Sequence, residues 1–416
     1  MIFGRPDAAT LRRGALIGAA ACLVWSGHAA AQDASPAISR NAAIGAALAR
    51  GPRLAVAQAD TASAAALLQS ARQWQNPVFS ASYSKDAPQY HYTFELPLDL
   101  PYQRGPRIGA ATAAQRAARY RFAYEHASVQ MEADTTYTRA LAARALAELS
   151  ARTAHDADSL RRMAVTRREA GDASDMDVAL ATVSAGQAAN QATADSVAFT
   201  SALLDLQSVM GLSDSRAEIV LSDSLAAMPI APAAFEQTAP LLPIAAASAQ
   251  LEAASLTATL ERRNVFGVPS LMAGVETGDP SGDAKGRLPT FGLALPLPIF
   301  NRNRGPIALA RAEEARARAE LRFAEIQSRT ELARAQREWR SASAKVERDK
   351  MLVQQADRVV TMAMTAYREG AASLPNVLEA QRTARELLAE YIRDIADAWI
   401  AAAELKVLTL TAPTAP

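Results

Sequence analysis

In the second half of the chain, apolar residues recur at alternating steps of three and four: Leu332, Ala335, Trp339, Ala342, Val346, then Val353, Ala356, Val360, Ala363 and Tyr367. Asp349 is the one polar residue in that series. This spacing predicts the seam of a long helix of coiled-coil type. After Gly370 it resumes at Val377, Ala384, Leu388, Tyr391, Ile395, Ala398, Ala402 and Leu405, with Gln381 polar. Two such helices joined by a few residues predict an antiparallel hairpin with Gly370 at its tip. Glycine just past a helix end is also an ordinary C-cap, and that reading is compatible. The runs between Pro106 and Gly171 and between Pro306 and Gly370 are proline-free and rich in Ala, Arg and Glu. As helices, each would reach roughly 95 Å.

Elsewhere the period changes to two. Phe79, Ala81 and Tyr83 alternate with Val78, Ser80, Ser82 and Ser84, and after Lys85-Asp86-Ala87-Pro88, Tyr90, Tyr92, Phe94 and Leu96 alternate with His91, Thr93 and Glu95. Leu271, Ala273 and Val275, a Gly/Asp/Pro/Ser loop from Gly278 to Gly286, and Phe291, Leu293 and Leu295 repeat the pattern. Each set predicts a β-hairpin. Apolar-out, small-or-polar-in alternation suits a membrane barrel, and a half-buried soluble hairpin has the same pattern. Four strands are too few to close a barrel, because membrane barrels start at about eight, so a spanning version must pool strands from several chains.

The two halves match at a shift of about 200 residues, as expected of an internal repeat. Pro97 aligns with Pro296, Arg104-Gly105-Pro106 with Arg304-Gly305-Pro306, and Arg168-Glu169-Ala170-Gly171-Asp172-Ala173-Ser174 with Arg368-Glu369-Gly370-Ala371-Ala372-Ser373. The expected organisation is a signal peptide at 1–31, a first repeat at 32–227, a Pro-rich linker at 228–243 and a second repeat at 244–416. The elbows LPLDLPYQRGP and LPLPIFNRNRGP are expected to turn a strand into a helix that opens at Pro106 and Pro306, since proline forbids backward continuation of a helix or ladder.

Composition narrows the function. The chain has 416 residues, is half apolar and carries a formal charge of +1, so it lacks the basic footprint of a nucleic-acid binder. Arg12-Arg13, the apolar Ala15 to Trp25 and Ala29-Ala30-Ala31 match a secretory signal cleaved after Ala31. Cleavage removes Arg5, Asp7, Arg12 and Arg13, a net +2, leaving −1, together with the single cysteine, Cys22. Lipidation of Cys22 is the alternative processing. No later segment reaches the ~20 apolar residues of a membrane helix. No P-loop, G-x-S-x-G, H-E-x-x-H or G-x-G-x-x-G occurs, so no enzyme activity or cofactor is expected. His91, His126 and His155 are far apart and form no metal-ligand spacing.

Taken together, Gln75-Asn76-Pro77 before the first strand, the LPLPIFNRNRGP elbow, and the tips REAGDAS and REGAAS followed by Asp177-Val178 and Asn376-Val377-Leu378-Glu379-Ala380 resemble the TolC-like outer-membrane efflux factors. The resemblance covers Ile38 to Leu410, and the elbow is most similar to the branch serving cobalt-zinc-cadmium type cation pumps. It implies a mainly α fold with a small β portion: duplicated α-helical hairpins form a periplasmic α-barrel, and four strands per chain enter a trimeric, twelve-stranded outer-membrane β-barrel. It also implies a homotrimer in outer-membrane lipid that meets a periplasmic adaptor and a proton-driven inner-membrane pump.

By position, the resemblance makes Gly171, Asp172, Ala173, Ser174, Gly370, Ala371, Ala372 and Ser373 the adaptor-docking tips. Asn376 and Glu379 fall where the family has an acidic pair that constricts the tunnel mouth. Asn376 carries no charge, so a ring of Glu379 alone is expected, with Asp175 and Asp177 adding to the field. Those two aspartates also suit a helix N-terminus. The expected function is a passive export duct, for heavy-metal cations on the elbow's likeness. Drug efflux or polypeptide secretion through the same duct, and a secreted non-conducting coiled-coil protein, stay open.

Overall fold

The computed structural model describes residues 37–212, 219–225, 239–278 and 286–412. The expected signal peptide, Cys22 and linker residues 228–238 lie outside these. The elements run β1 (Ala37–Ile38), α1 (Arg40–Arg50), α2 (Pro52–Arg72), β2 (Val78–Tyr83), β3 (Tyr90–Pro97), α3 (Pro101–Glu169), α4 (Asp175–Val209), β4 (Val220–Leu221), α5 (Leu242–Arg263), β5 (Ser270–Thr277), β6 (Leu288–Ala294), α6 (Arg304–Arg368) and α7 (Leu374–Leu408). The duplication is visible in the lengths. α3 and α6 have 69 and 65 residues, α4 and α7 have 35 each, and α2 and α5 have 21 and 22.

Each long helix is covered along its length by two shorter ones. α2 and α4 pack on α3, α5 and α7 pack on α6, and α5 and α7 also pack on α3, which joins the halves. Contacts are made largely by alanine: Ala113, Ala117, Ala133, Ala140 and Ala164 on α3 are buried. Every seam position predicted on α6 and α7 is buried or half-buried. No described helix is long and apolar enough to cross a membrane.

The main sheet has the order β2-β3-β5-β6, antiparallel throughout. Its register brings like faces together. Phe79 pairs with Phe94, Ala81 with Tyr92 and Tyr83 with Tyr90; Phe94, Tyr92 and Leu96 then pair with Ala273, Val275 and Leu271, and Ala273 with Phe291. One face is therefore apolar across the four strands, and it is exposed: Phe79 66%, Phe94 46%, Phe291 84% and Leu293 65%. The other face is polar. His91 Nδ1 lies 3.3 Å from Glu276 Oε1, its Nε2 lies 3.2 Å from Ser84 Oγ, and Ser270 Oγ donates to Glu95.

The elbows differ from the expectation. Helix α3 starts at Pro101, five residues before Pro106, and Pro106 is buried inside it. Proline at the first position is tolerated because its missing N–H has no helical partner there. Pro106 instead deprives the Tyr102 carbonyl of its donor. Arg263 Nη1, from the end of α5, donates to that carbonyl at 2.6 Å and takes its place. In the second elbow α6 starts at Arg304, and Asn303 adopts the left-handed conformation at φ 57°. Asparagine is among the few residues suited to it. Asn303 Nδ2 donates to the Glu261 carbonyl and to its Oε2, both at 2.8 Å, which fixes the elbow to α5. At the first elbow the buried Asp99 carboxylate pairs with Arg104 at 3.1 Å and Arg107 at 2.6 Å. Those arginines also donate to the last carbonyls of α2, Arg72 and Ala71, each at 3.0 Å.

A Cβ on Gly274 would lie 2.6 Å from Thr290 Oγ1 and 2.8 Å from the Tyr92 carbonyl oxygen, so Gly274 admits no side chain without moving a neighbouring strand. Gly274→Val is expected to cost about 1–3 kcal/mol, measured as a lowered thermal unfolding midpoint. A Cβ on Gly286 meets nothing within 4 Å, so Gly286→Ala should leave the midpoint unchanged.

Candidate functional site

Both helical hairpins turn at a glycine for the same local reason. Gly171 and Gly370 have φ of 85° and 75°, a region that side chains with a Cβ rarely adopt. At the first tip Gly171 N donates to Arg168 O at 3.0 Å and Asp172 N to Arg167 O at 2.8 Å. At the second, Gly370 N donates to Tyr367 O at 3.0 Å and Ala371 N to Ala366 O at 2.8 Å. Both are Schellman closures, which satisfy the last helical carbonyls and leave the next residues pointing outward. Neither glycine has an atom within 4 Å of a built Cβ, so space around both is open.

The returning helices begin at Ser174 and Ser373. Ser174 Oγ accepts from Asp177 N at 3.1 Å, and Asp177 Oδ2 accepts from Ser174 N at 3.0 Å, a reciprocal capping box. Asp177 is thus occupied in capping. Asp175 is 85% exposed in its side chain and pairs with Arg168 at 2.7 Å. Asn376 is exposed in the first turn of α7, where its N–H donates to Ser373 O at 3.2 Å. One turn on, Glu379 holds Arg382 through both carboxylate oxygens, at 2.9 and 3.1 Å. That hydrogen bond and the guanidinium charge hold the Glu379 carboxyl below the usual range, so it stays ionised at neutral pH. Gly171, Asp172, Ser174, Gly370, Ala371 and Ser373 are exposed, and Ala173 and Ala372 are half-buried.

The two tips stand side by side. Leu160 and Ala164 of α3, Ala181 of α4, Tyr367 of α6, and Leu374 and Val377 of α7 form one buried cluster. Arg167 fastens it. Its Nη1 donates to Tyr367 O at 2.9 Å, and its guanidinium lies 4.8 Å from the Tyr367 ring centroid. Sequence reasoning placed Tyr367 in the seam and overlooked Arg167, because the two are 200 residues apart. Met176 was also overlooked: it is 68% exposed beside the first tip. An apolar residue directly after a cap and off the seam was the available signal.

The arrangement is a mainly helical chain with two latched helical tips at one end and a small sheet with an exposed apolar face. Residues 242–409 match the sequence profile of the outer membrane efflux protein family. No curated protein sequence matches this chain. The fold is similar to that of a membrane protein from Pseudomonas aeruginosa, with a TM-score of 0.76 at 20% identity over 89% of this chain and 93% of that one. It is also similar to the outer membrane protein VceC of Vibrio cholerae, with a TM-score of 0.75 at 18% identity over 89% and 96%. The Campylobacter jejuni CmeC outer membrane channel gives 0.73 at 17% identity over 89% and 85%.

Arg167→Ala is expected to loosen the tip cluster by about 1–2 kcal/mol, through loss of the cation–π contact and the hydrogen bond. Amide exchange across Ala366 to Ala372 should speed up accordingly. Arg167→Lys should restore only part of the protection, because an ammonium cannot both stack and reach the carbonyl in the same geometry.

Proposed function

We propose that the chain is the outer-membrane channel of a tripartite efflux system, a passive duct that meets a periplasmic adaptor and an inner-membrane pump. The observation that carries this is the four-stranded sheet with one continuous exposed apolar face and two unpaired edges, attached to two long helical hairpins. A barrel needs about eight strands or more, so copies pool their strands. Three copies give the twelve-stranded barrel that the family resemblance implies. The family match over 242–409 supports the same reading.

The internal duplication supports how copies meet. Within the chain α5 and α7 of the second repeat pack on α3 of the first. Repeating that relation sets α2 and α4 of the next copy on α6. Exposed apolar side chains are available on both helices: Met176 68% and Val183 58% on α4, Met351 65% and Met362 62% on α6. Around the ring, Gly171 to Ser174 and Gly370 to Ser373 form the adaptor-docking rim. Glu379 of each copy contributes one carboxylate to the mouth, and Asp175 adds to the field. The cargo we favour is a heavy-metal cation, because the elbow is similar to the cation-pump branch.

The test is growth of a deletion strain on Zn, Co, Cd, Ni and Cu salts beside organic antibiotics. Selective metal sensitivity is expected, and sensitivity confined to organic compounds would keep the duct and reject the cargo. Substituting Arg at both Gly171 and Gly370 should abolish export while trimers persist in the outer membrane. Unimpaired export would reject the docking rim. Glu379→Ala should raise leak through the isolated channel and weaken its cation preference; unchanged conductance removes Glu379 from the mouth.

A further inference from the structure

Asp349 interrupts an otherwise apolar seam on α6, and the packing shows what it meets. Across the seam on α7 stands Asp394, only 5% exposed, next to the apolar contacts of Ala342 and Val346 with Ile395 and Ala398. The Asp394 Oδ1 lies 3.6 Å from Lys345 Nζ, too far for a hydrogen bond. Its Oδ2 is fully occluded, and no donor reaches it among the described residues. Asp349, half-buried on the facing seam of α6, is the neighbouring carboxyl, and a hydrogen bond between the two favours the protonated form of Asp394. Two carboxylates are both acceptors, so they make that bond only with a proton between them.

The surrounding charges leave the deficit in place. On α6 the nearby groups are Lys345, Asp349 and, along the adjoining cavity, Glu338. On α7 they are Glu390, Arg393 and Asp397, with Arg385, Glu386 and Glu404 further along the cavity walls. α4 adds Asp195, and α3 offers only the uncharged Ser150 beside two leucines. No cluster of three or more His, Cys, Asp or Glu suited to a metal ion occurs among the described residues. Because Oδ2 is closed even to a water-sized contact, the ligand that fits is a proton.

We propose that Asp349 and Asp394 form a proton-binding site that ties α6 to α7 when occupied and weakens the seam when the proton leaves. By the helical rise, the pair sits roughly 30 Å inside the tips. Burial first, and then the hydrogen bond to Asp349, push the Asp394 carboxyl up to about 6, against the weaker pull of Lys345. The value belongs to the pair. The sign follows from linkage: the folded chain keeps its proton after an unfolded aspartate has lost it, so stability falls as pH rises from about 4 to about 6 and is level above. The proposal uses only the α6–α7 pairing and is independent of the efflux reading.

The purified full-length chain tests it. Infrared difference spectra, wild type minus variant, should show a protonated carboxyl carbonyl band at about pH 5 that fades by about pH 7.5, the ordinary carboxyls common to both cancelling. The difference band is expected with either Asp394→Asn or Asp349→Asn subtracted, since either amide can donate the missing hydrogen bond. The Asp394→Asn unfolding midpoint should exceed the wild-type midpoint by about 3 °C at neutral pH and converge with it near pH 4. No difference band with either variant, or an offset between variant and wild-type midpoints that does not change with pH, overturns the proposal. If Asp394→Asn does not fold, Asp349→Asn gives the same two readings.

Discussion

The four strands of this chain cannot satisfy themselves. Backbone groups along the outer edges of β2 and β6 have no partner in the sheet, and the face carrying Phe79, Tyr92, Phe94 and Phe291 is uncovered. An open, flat, apolar edge invites pairing with whatever strand comes near. Only closure removes such edges, and only an apolar surrounding makes the outward face inexpensive. The rest of the molecule is consistent with both conditions. Pairing in register keeps all aromatics on one side, and the polar side carries a histidine–glutamate contact and hydrogen bonds, so the sheet has a wet face and a dry face.

Joining such a sheet to helices creates a second problem, because each elbow exposes carbonyls and strands that end together. The two halves solve it differently despite their common pattern. In the first, Asp99 is buried and holds two arginines, which then cap the end of α2. Removing Asp99 from that arrangement would leave two cations without their anion in a partly buried site. In the second, a single asparagine in a left-handed turn does the work by bonding to the end of α5. The NRNR run that stands out in the sequence therefore has a local structural reason, at least for Asn301 and Asn303: the Asn301 side chain accepts the Asn303 N–H at 2.9 Å.

What was legible in the sequence was what depends on local spacing. The period-three-four seam marked the inward faces of α6 and α7, the period-two runs lie in the strands, and the glycines at 171 and 370 are turn residues because φ there is positive. What was not legible depends on partners remote in sequence. Pro106 looked like a boundary because the donor that compensates for it, Arg263, is 161 residues away. Arg167 looked like one more charge near a helix end. Asp349 was visible as an interruption, but its partner Asp394 sits one residue before Ile395 in the α7 series and gives no sign of its own.

These remote polar contacts share a physical purpose. Alanine-rich helices packed along seams of nearly uniform residues can slide by a turn at little cost, since each alanine meets another alanine after the shift. Directional contacts break that degeneracy, as a polar residue in a coiled-coil seam fixes register. Among those in the described residues, three lie at intervals along the α6–α7 layer. Arg167 meets Tyr367 at the tips, Asp394 faces Asp349 and Lys345 partway, and Arg40, paired with Asp134, lies 4.7 Å from the Trp399 ring at the far end of the α4 and α7 layer. The first and third join the two repeats, whereas the middle one joins helices of a single hairpin. Axial register between the halves is therefore held at both ends. The α6–α7 hairpin between those ends is held by a contact whose strength depends on a proton, which leaves the middle of the second hairpin as the part of the layer whose packing can change while its ends stay in place.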